Sequence, residues 1–269
     1  GDFSAKIMVK VGQLNSKDFP ANKKYAIPLS ITGASNYSLI PSQRSAILLL
    51  NRSILSSVAK VSGGEGIRIK PVGMHTKAEW TIQMSAIYSS LTRSNLTTAY
   101  LSNGTGGEFY TRISSTAGIQ VKNGRDGDDT WTQIPLQAGK WLHITYVHKD
   151  KKTTVYVNGK VQKVFENSAI TFGENSMIVV GNSGYRNDYL REIRLWDKAL
   201  TESEINDYLY LPMDPATPHL ISYLPLSKEM ETKDLKAPAG TENVTTKARI
   251  EYVENVKFPT DELVIVNQE

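Results

Sequence analysis

A repeat of two residues dominates the apolar pattern of this sequence. In TTVYVNGKV, residues 153–161, β-branched and aromatic residues alternate with others, break at Asn158-Gly159, and resume at once. Successive strand side chains point to opposite faces, so Val155 and Val157 are predicted on one face and Tyr156 on the other. Asn-Gly supplies the positive φ angles of a two-residue hairpin turn. The stretch therefore predicts a β-hairpin.

The same alternation recurs along the chain between clusters of Gly, Asn, Ser and Pro, and helical periodicity is almost absent. Antiparallel strands in a sandwich or jelly roll are therefore predicted, in an all-β protein. Pro28 marks its strand as an edge or a bulge, because proline cannot donate to a ladder. Besides the hairpin, the predicted strands cover residues 5–11, 25–33, 45–50, 66–72, 79–88, 107–114, 118–124, 140–148, 176–181, 219–226 and 248–258.

A single helix is predicted at residues 201–211, TESEINDYLYL. Thr201 and Glu204 have the spacing of a capping box, and an apolar stripe follows them. Pro212 is predicted to stop the helix.

Charge and composition exclude several classes of function. A formal net charge of +4 over 269 residues, without a dense basic run, does not suggest nucleic-acid binding. The absence of cysteine excludes disulfides, thiolate metal sites and cysteine nucleophiles. No apolar run approaches the roughly 20 residues that span a bilayer.

Four motifs in a fixed order resemble the laminin-G-like, concanavalin A-like jelly roll in its large bacterial branch. In that family a W-x-H-x-x strand precedes a Y-V-N-G hairpin, then an I-x-I-G strand, then an E-x-R-I-W strand that runs into A-L-[ST]-x-x-E-I. Here these elements are Trp141 and His143, Tyr156 to Gly159, Ile178 to Gly181, Glu192 to Trp196, and Ala199 to Ile205.

The resemblance implies three segments. Residues 1–52 resemble part of a small β-sandwich domain that precedes such jelly rolls in Bacteroidetes surface proteins, residues 53–258 form the jelly roll, and residues 259–269 are a C-terminal tail. The chain departs from the family before E-x-R. Where the family has Gly-x-[IL]-Asp, this sequence has Asp188-Tyr189-Leu190-Arg191.

Catalytic and metal sites receive weak support from the sequence. Glycosidases need two carboxylates facing a cleft about 5 to 10 Å apart, and no strand carries such a pattern, so no enzyme activity is expected. The loop NGRDGDD, residues 123–129, offers Asp126, Asp128 and Asp129 as calcium ligands. A solvated turn is the alternative for this loop, so no cofactor is predicted and calcium is kept as the minor alternative.

Two loops carry the residue types that bind sugars, which need an aromatic platform flanked by hydrogen-bonding side chains. For each aromatic residue the alternative is a structural role. The candidate glycan-binding residues are Arg125, Asp126, Asp128 and Trp131 in one loop, Tyr185, Asn187 and Asp188 in the other, and Tyr110 from a strand.

The resemblance implies non-catalytic binding of an oligo- or polysaccharide in a glycan-uptake system, together with other surface proteins of that system. It also implies export, either to the cell surface through a lipid anchor that lies outside this sequence, or to the periplasm. A structural or protein-interaction module is the alternative, and a glycoside hydrolase is a weaker one. Fold alone does not decide among them.

Overall fold

The structure of the protein is a computed structural model, and strands make up nearly all of its regular secondary structure. The structure describes residues 8–12, 14, 18–19, 25–33, 35, 38, 40–50, 53–72, 77–92, 96–102, 105–106, 108–122, 127–173, 175–181 and 185–267. Two compact units divide the chain, Gly1–Ile54 and Leu55–Glu269.

The first unit contains a two-stranded antiparallel sheet. Strand β1 (Tyr25–Ser30) pairs with β2 (Ser45–Leu50), and a 3-10 turn, Pro41–Gln43, lies between them. Pro28 lies opposite Ile47 in this pair, so the prediction of an edge position is confirmed. Residues 8–12 are not a strand, contrary to the prediction for 5–11, whose first three residues lie outside the described part.

The other strands follow in chain order and have these bounds: β3 (Ile54–Gly63), β4 (Ile67–Ile69), β5 (Trp80–Ile87), β6 (Thr97–Ser102), β7 (Thr105–Gly106), β8 (Tyr110–Ser114), β9 (Gly118–Lys122), β10 (Leu142–Lys149), β11 (Lys152–Val157), β12 (Lys160–Glu166), β13 (Ile170–Thr171), β14 (Met177–Val180), β15 (Tyr185–Trp196), β16 (Leu220–Leu224), β17 (Val244–Thr245) and β18 (Arg249–Phe258). A second 3-10 turn, Asp128–Thr130, follows β9, and helix α1 (Glu202–Asp207) follows β15.

Two antiparallel sheets form the body of the second unit. One has the order β12-β11-β10-β5-β15-β3-β18, with β16 also paired to β15, and the other has the order β17-β4-β14-β6-β8-β9. Alternate residues of both sheets meet in one apolar core, for example Ile144 and Val155 from the first sheet and Ile113 and Ile178 from the second. This architecture is the predicted antiparallel jelly-roll sandwich.

The hairpin predicted from TTVYVNGKV is confirmed. Asn158 and Gly159 have φ angles of 51° and 76° between β11 and β12. Val155 and Val157 face the core between the sheets, and Tyr156 belongs to a second apolar cluster on the opposite face.

A bulge in β15 breaks the alternation at Glu192, which has a φ of 55°. In a regular strand, residues 191 and 194 would point to opposite faces. The extra residue places both Arg191 and Arg194 on the outer side, where each is hydrogen-bonded to Glu192, while Ile193 stays in the core.

Helix α1 begins as predicted but ends early. The Thr201 side chain accepts from the Glu204 amide and the Glu204 side chain accepts from the Thr201 amide, which completes the capping box. The prediction that the helix continues to residue 211 is wrong. The helix ends at Asp207 because the next carbonyls face the sheet, where Arg194 donates to Tyr208 and Leu211.

The residues after β18 run back along it. The amide of Lys257 donates to the carbonyl of Val264, and the amide of Val266 donates to the carbonyl of Asn255. The amide of Trp141 also donates to the carbonyl of Asp261. The segment predicted as a tail, 259–269, is therefore attached to the sheet over residues 261–266.

Candidate functional site

The loop before and within β15 does not form the predicted sugar platform. Tyr185 is buried, and its hydroxyl donates to the carbonyl of Val180 at 2.7 Å. Asp188 is fully buried and accepts hydrogen bonds from the Ser89 amide at 2.8 Å and the Ser89 hydroxyl at 3.0 Å. Both side chains are buried and hold the strand in place. The prediction that Tyr185 and Asp188 contact a ligand is therefore wrong.

Asn187 is exposed, with a φ of 59°, at a bulge in the pairing of β15 with β3. Asparagine tolerates this left-handed conformation better than most residues, which explains its presence without a ligand. Asn187 belongs to the sheet of β15, whereas Tyr110 and the bridge partner of Trp131 belong to the six-stranded sheet.

The acidic loop is described only in part. Arg125 and Asp126 lie outside the described residues, and Asp128 begins the second 3-10 turn. No group of three or more His, Cys, Asp or Glu side chains is placed to hold a metal ion within the described ranges. The calcium alternative therefore gains no support from the residues that can be assessed.

Two of the predicted residues, Tyr110 and Trp131, lie on the same outer face of the six-stranded sheet. Tyr110 lies opposite Lys122 on β9 and opposite Tyr100 on β6, and Trp131 forms a bridge to Gln120. Side chains in register, or two residues apart on one strand, share a face. The candidate face is accordingly defined as Tyr100, Tyr110, Arg112, Gln120, Lys122 and Trp131.

The aromatic part of the candidate face is ordered by its neighbours. The ring centroids of Tyr100 and Tyr110 lie 5.9 Å apart, and the guanidinium carbon of Arg112 lies 5.3 Å from the Tyr110 centroid. The Tyr110 and Thr97 hydroxyls are hydrogen-bonded at 2.6 Å. Tyr100, Tyr110, Arg112 and Trp131 are all half-buried. Part of each surface therefore remains accessible while its orientation is fixed.

The segment that carries Trp131 is pinned from two sides. The ammonium of Lys163, from the other sheet, donates to the carbonyls of Asp129 and Trp131 at 2.8 and 2.7 Å. The amide of Thr132 donates to the carbonyl of Ile119 on β9, and the amide of Ile119 donates to the Thr132 hydroxyl. A ligand would therefore meet a Trp131 backbone that is already in place.

Gln120 contains a buried acceptor without a partner. Its Nε2 donates to the Thr130 hydroxyl at 2.9 Å, and that hydroxyl donates to the carbonyl of Gly127 at 2.6 Å. Since the Thr130 proton is used there, Thr130 must accept from Gln120, which fixes the amide orientation. The Gln120 Oε1 atom is then left without a hydrogen-bond partner in the described structure, even though the residue is buried and only 3% exposed.

The sequence reasoning missed Tyr100, Arg112, Gln120 and Lys122. A signal was available in YTRIS and GIQVK, where Ile113, Ile119 and Val121 supply the core and the intervening residues must face outward. The prediction was based mainly on the residue types in two loops and therefore named other residues. The sequence does not show that β6 pairs with β8 and β8 with β9, and this pairing brings the outward residues side by side.

A second polar cluster, on the opposite sheet, is fully buried. Glu192 accepts from Arg191 at 3.3 Å, from Arg194 at 2.5 Å and from the Tyr223 hydroxyl at 2.9 Å. The two arginines also donate to carbonyls at Tyr208 and Tyr210. This cluster fastens the segment after α1 to the sheet and has no accessible surface for a ligand.

The two buried histidines are uncharged. Burial, assisted by the charges of Arg194 and Arg191, holds the pKa of His143 well below its usual range. Burial lowers the pKa of His148 to about 4. The side chains face opposite sides of β10: His148 stacks on Trp80 in the core, and His143 contacts Ser85 at 2.8 Å. Neither lies on the candidate face.

The comparisons with known proteins identify the family. The family model for the concanavalin A-like lectin/glucanases superfamily matches residues 62–206, more than half of the chain. This range contains the whole candidate face. No curated protein matches the sequence.

Among solved structures, a candidate carbohydrate-binding protein from Bacteroides ovatus is similar, with a TM-score of 0.60, 19% identity, and coverage of 89% of this chain and 71% of that one. A heptameric serum-amyloid-P-like pentraxin from Limulus polyphemus has a TM-score of 0.44 and 12% identity, covering 74% and 94%. Domain 4 of an extracellular arabinanase from Geobacillus stearothermophilus, in complex with arabinotriose, has a TM-score of 0.40 and 14% identity, covering 68% and 86%. At these identities the likeness is one of fold.

Proposed function

Because this chain belongs to the concanavalin A-like lectin/glucanase superfamily, we propose that it binds carbohydrate without cleaving it, on the candidate face of the six-stranded sheet. The observation that carries the proposal is the set of partly accessible aromatic rings, Tyr100, Tyr110 and Trp131, that shares one sheet face with Arg112.

The aromatic side chains of the candidate face suit the apolar face of a pyranose ring. Tyr100, Tyr110 and Trp131 present amphipathic rings that bury apolar area and keep a polar edge. Arg112 adds hydrogen-bond donors beside them. A few placed polar groups among aromatic ones is the usual composition of a small-molecule site.

The proposal is non-catalytic because none of the six candidate residues is a carboxylate, and glycosidic cleavage generally requires two. We also propose, from the fold it shares with the Bacteroides ovatus protein, that the chain is exported and serves a glycan-uptake system at the cell surface or in the periplasm. Other proteins of such a system are the proposed partners. These assignments rest on likeness of fold alone.

The test is a binding screen of the purified chain against a broad polysaccharide and oligosaccharide array. Tyr110→Ala and Trp131→Ala are each expected to weaken binding at least about tenfold, equivalent to about 1.4 kcal/mol. Tyr25→Ala is the matched control, because Tyr25 is a half-buried strand tyrosine in the first unit. Its affinity should equal that of the wild type.

The outcomes separate the alternatives. Binding that survives both candidate-face variants, in chains with unchanged circular dichroism, would place the sugar elsewhere on the molecule. A folded wild-type chain that binds nothing on the array would contradict the proposal and favour the protein-interaction module.

A further inference from the structure

Arg112 differs from most described arginines in having no carboxylate partner. It lies in the middle of β8, opposite Thr97 on one side and Gln120 on the other. No ion pair joins it to any described acidic residue, and its Nε atom is buried without a hydrogen-bond partner. Its guanidinium carbon lies over the Tyr110 ring, 5.3 Å from the ring centroid.

Other arginines of the second unit show what such a group normally has. Arg68 pairs with Glu65 at 2.8 Å, and Arg249 pairs with Glu251 at 2.6 Å. The buried Arg191 and Arg194 share Glu192. A half-buried guanidinium without a counter-ion has lost hydration that no protein anion replaces. Arg112 therefore has unused capacity to bind an anion.

We propose that the ligand of the candidate face is an acidic saccharide whose uronic-acid carboxylate pairs with Arg112. This inference rests on the proposed function, and it specifies the class of sugar. The planar guanidinium matches a planar carboxylate with two parallel hydrogen bonds, which is a stronger and more directional contact than one to a hydroxyl.

The neighbours of Arg112 suit this ligand. The guanidinium carbon of Arg112 lies over the Tyr110 ring, 5.3 Å from its centroid, so a saccharide that contacts the accessible part of that ring has its substituents within reach of the guanidinium. Lys122 adds a second positive charge across from Tyr110, and the six residues of the face include no acidic group.

The experiment compares each acidic polysaccharide with its carboxyl-reduced form, which keeps the linkages and removes the charge. Polygalacturonate, alginate and glucuronoxylan serve as probes in affinity electrophoresis and calorimetry. The wild type is expected to bind at least one acidic form about tenfold to a hundredfold more tightly than its reduced form, with affinity falling as salt rises.

Three variants locate the preference. Arg112→Gln should abolish the difference between the acidic and reduced forms, and Arg112→Lys should restore only part of it, since lysine keeps the charge but loses the fork. Arg249→Gln is the matched control, because it removes the same charge from an exposed position on another sheet. Thermal unfolding of each variant shows that it is folded.

The possible results are distinct. Equal or tighter binding of the reduced forms, or an acidic preference that persists in Arg112→Gln, overturns this inference and leaves the proposed function standing. Equally tight binding of a sulfated galactan, which carries sulfate esters and no carboxylate, overturns the assignment to a carboxylate. A folded chain that binds no saccharide of either kind overturns the proposed function as well.

Discussion

Removal of the Glu192 carboxylate should be among the most destabilising single changes in this protein. Glu192 lies at the bulge of β15 and is the acidic partner of Arg191 and Arg194, whose side chains are 2% and 0% exposed. Glu192→Ala leaves two guanidinium groups buried without a counter-ion and removes the acceptor of the Tyr223 hydroxyl. The carbonyls after α1 still accept from the arginines, but they carry no full charge.

The expected cost follows from these contacts. Breaking a buried ion pair by deleting one partner costs about 3 to 5 kcal/mol, because the remaining charge is uncompensated. A domain typically has about 5 to 15 kcal/mol of stability in total. The variant should therefore lose at least roughly a fifth of its free energy of unfolding, and all of it if the domain lies at the low end of that range.

Urea unfolding followed by tryptophan fluorescence measures this cost, since Trp80, Trp141 and Trp196 are all buried in the folded state. Glu262→Ala is the control. Glu262 pairs with Lys140 at an exposed site, so its removal should cost under about 1 kcal/mol. A Glu192→Ala chain that unfolds within about 1 kcal/mol of the wild type would refute the reasoning.

Two further predictions concern buried polar groups. His148 accepts from the Ile170 amide and contacts the Thr153 hydroxyl, and its folded pKa of about 4 lies below the ordinary value near 6.5. The unfolded chain thus binds the extra proton first as pH falls. The His148 contribution to stability is present above about pH 6.5 and is lost towards pH 4; His148→Gln should flatten the dependence of urea midpoint on pH in that window, and an unchanged slope would contradict it. Asp188→Ala should cost about 1 to 3 kcal/mol by orphaning the Ser89 amide, with glycan affinity unchanged; a loss of affinity at unchanged stability would return Asp188 to the binding site.

The fold was predictable because its signals are local. Alternation defined most strands, Asn158-Gly159 defined a turn, and the Thr201 capping box placed the start of α1. The end of α1 was not predictable. It depends on Arg194, which draws the carbonyls of Tyr208 and Leu211 out of helical pairing. That contact joins parts of the chain that only the tertiary structure brings together.

The site was predicted less well for the same physical reason. Tyr110 and Trp131 were identified from residue type, but so were Tyr185 and Asp188, which are buried. The sequence does not distinguish an aromatic or acidic loop side chain that binds a ligand from one that makes hydrogen bonds with backbone groups. Strand pairing distinguishes the two, since Tyr110 faces outward in a row with neighbours and Tyr185 bonds the carbonyl of Val180.

The motifs that carry the family resemblance have structural roles in this protein. None of the residues of the candidate face belongs to them. Asn158-Gly159 turns a hairpin, Glu192 and Arg194 hold the segment after α1, and Trp196 donates to Gln83 inside the first sheet. Even the motif strand of the six-stranded sheet, β14, directs Ile178 and Val180 into the core. Family membership therefore reports how the scaffold is built. Under the proposed function, the ligand is selected by the outward positions of β6, β8 and β9, where a substitution changes the surface without disturbing the core, so variants at those positions test the proposal most directly.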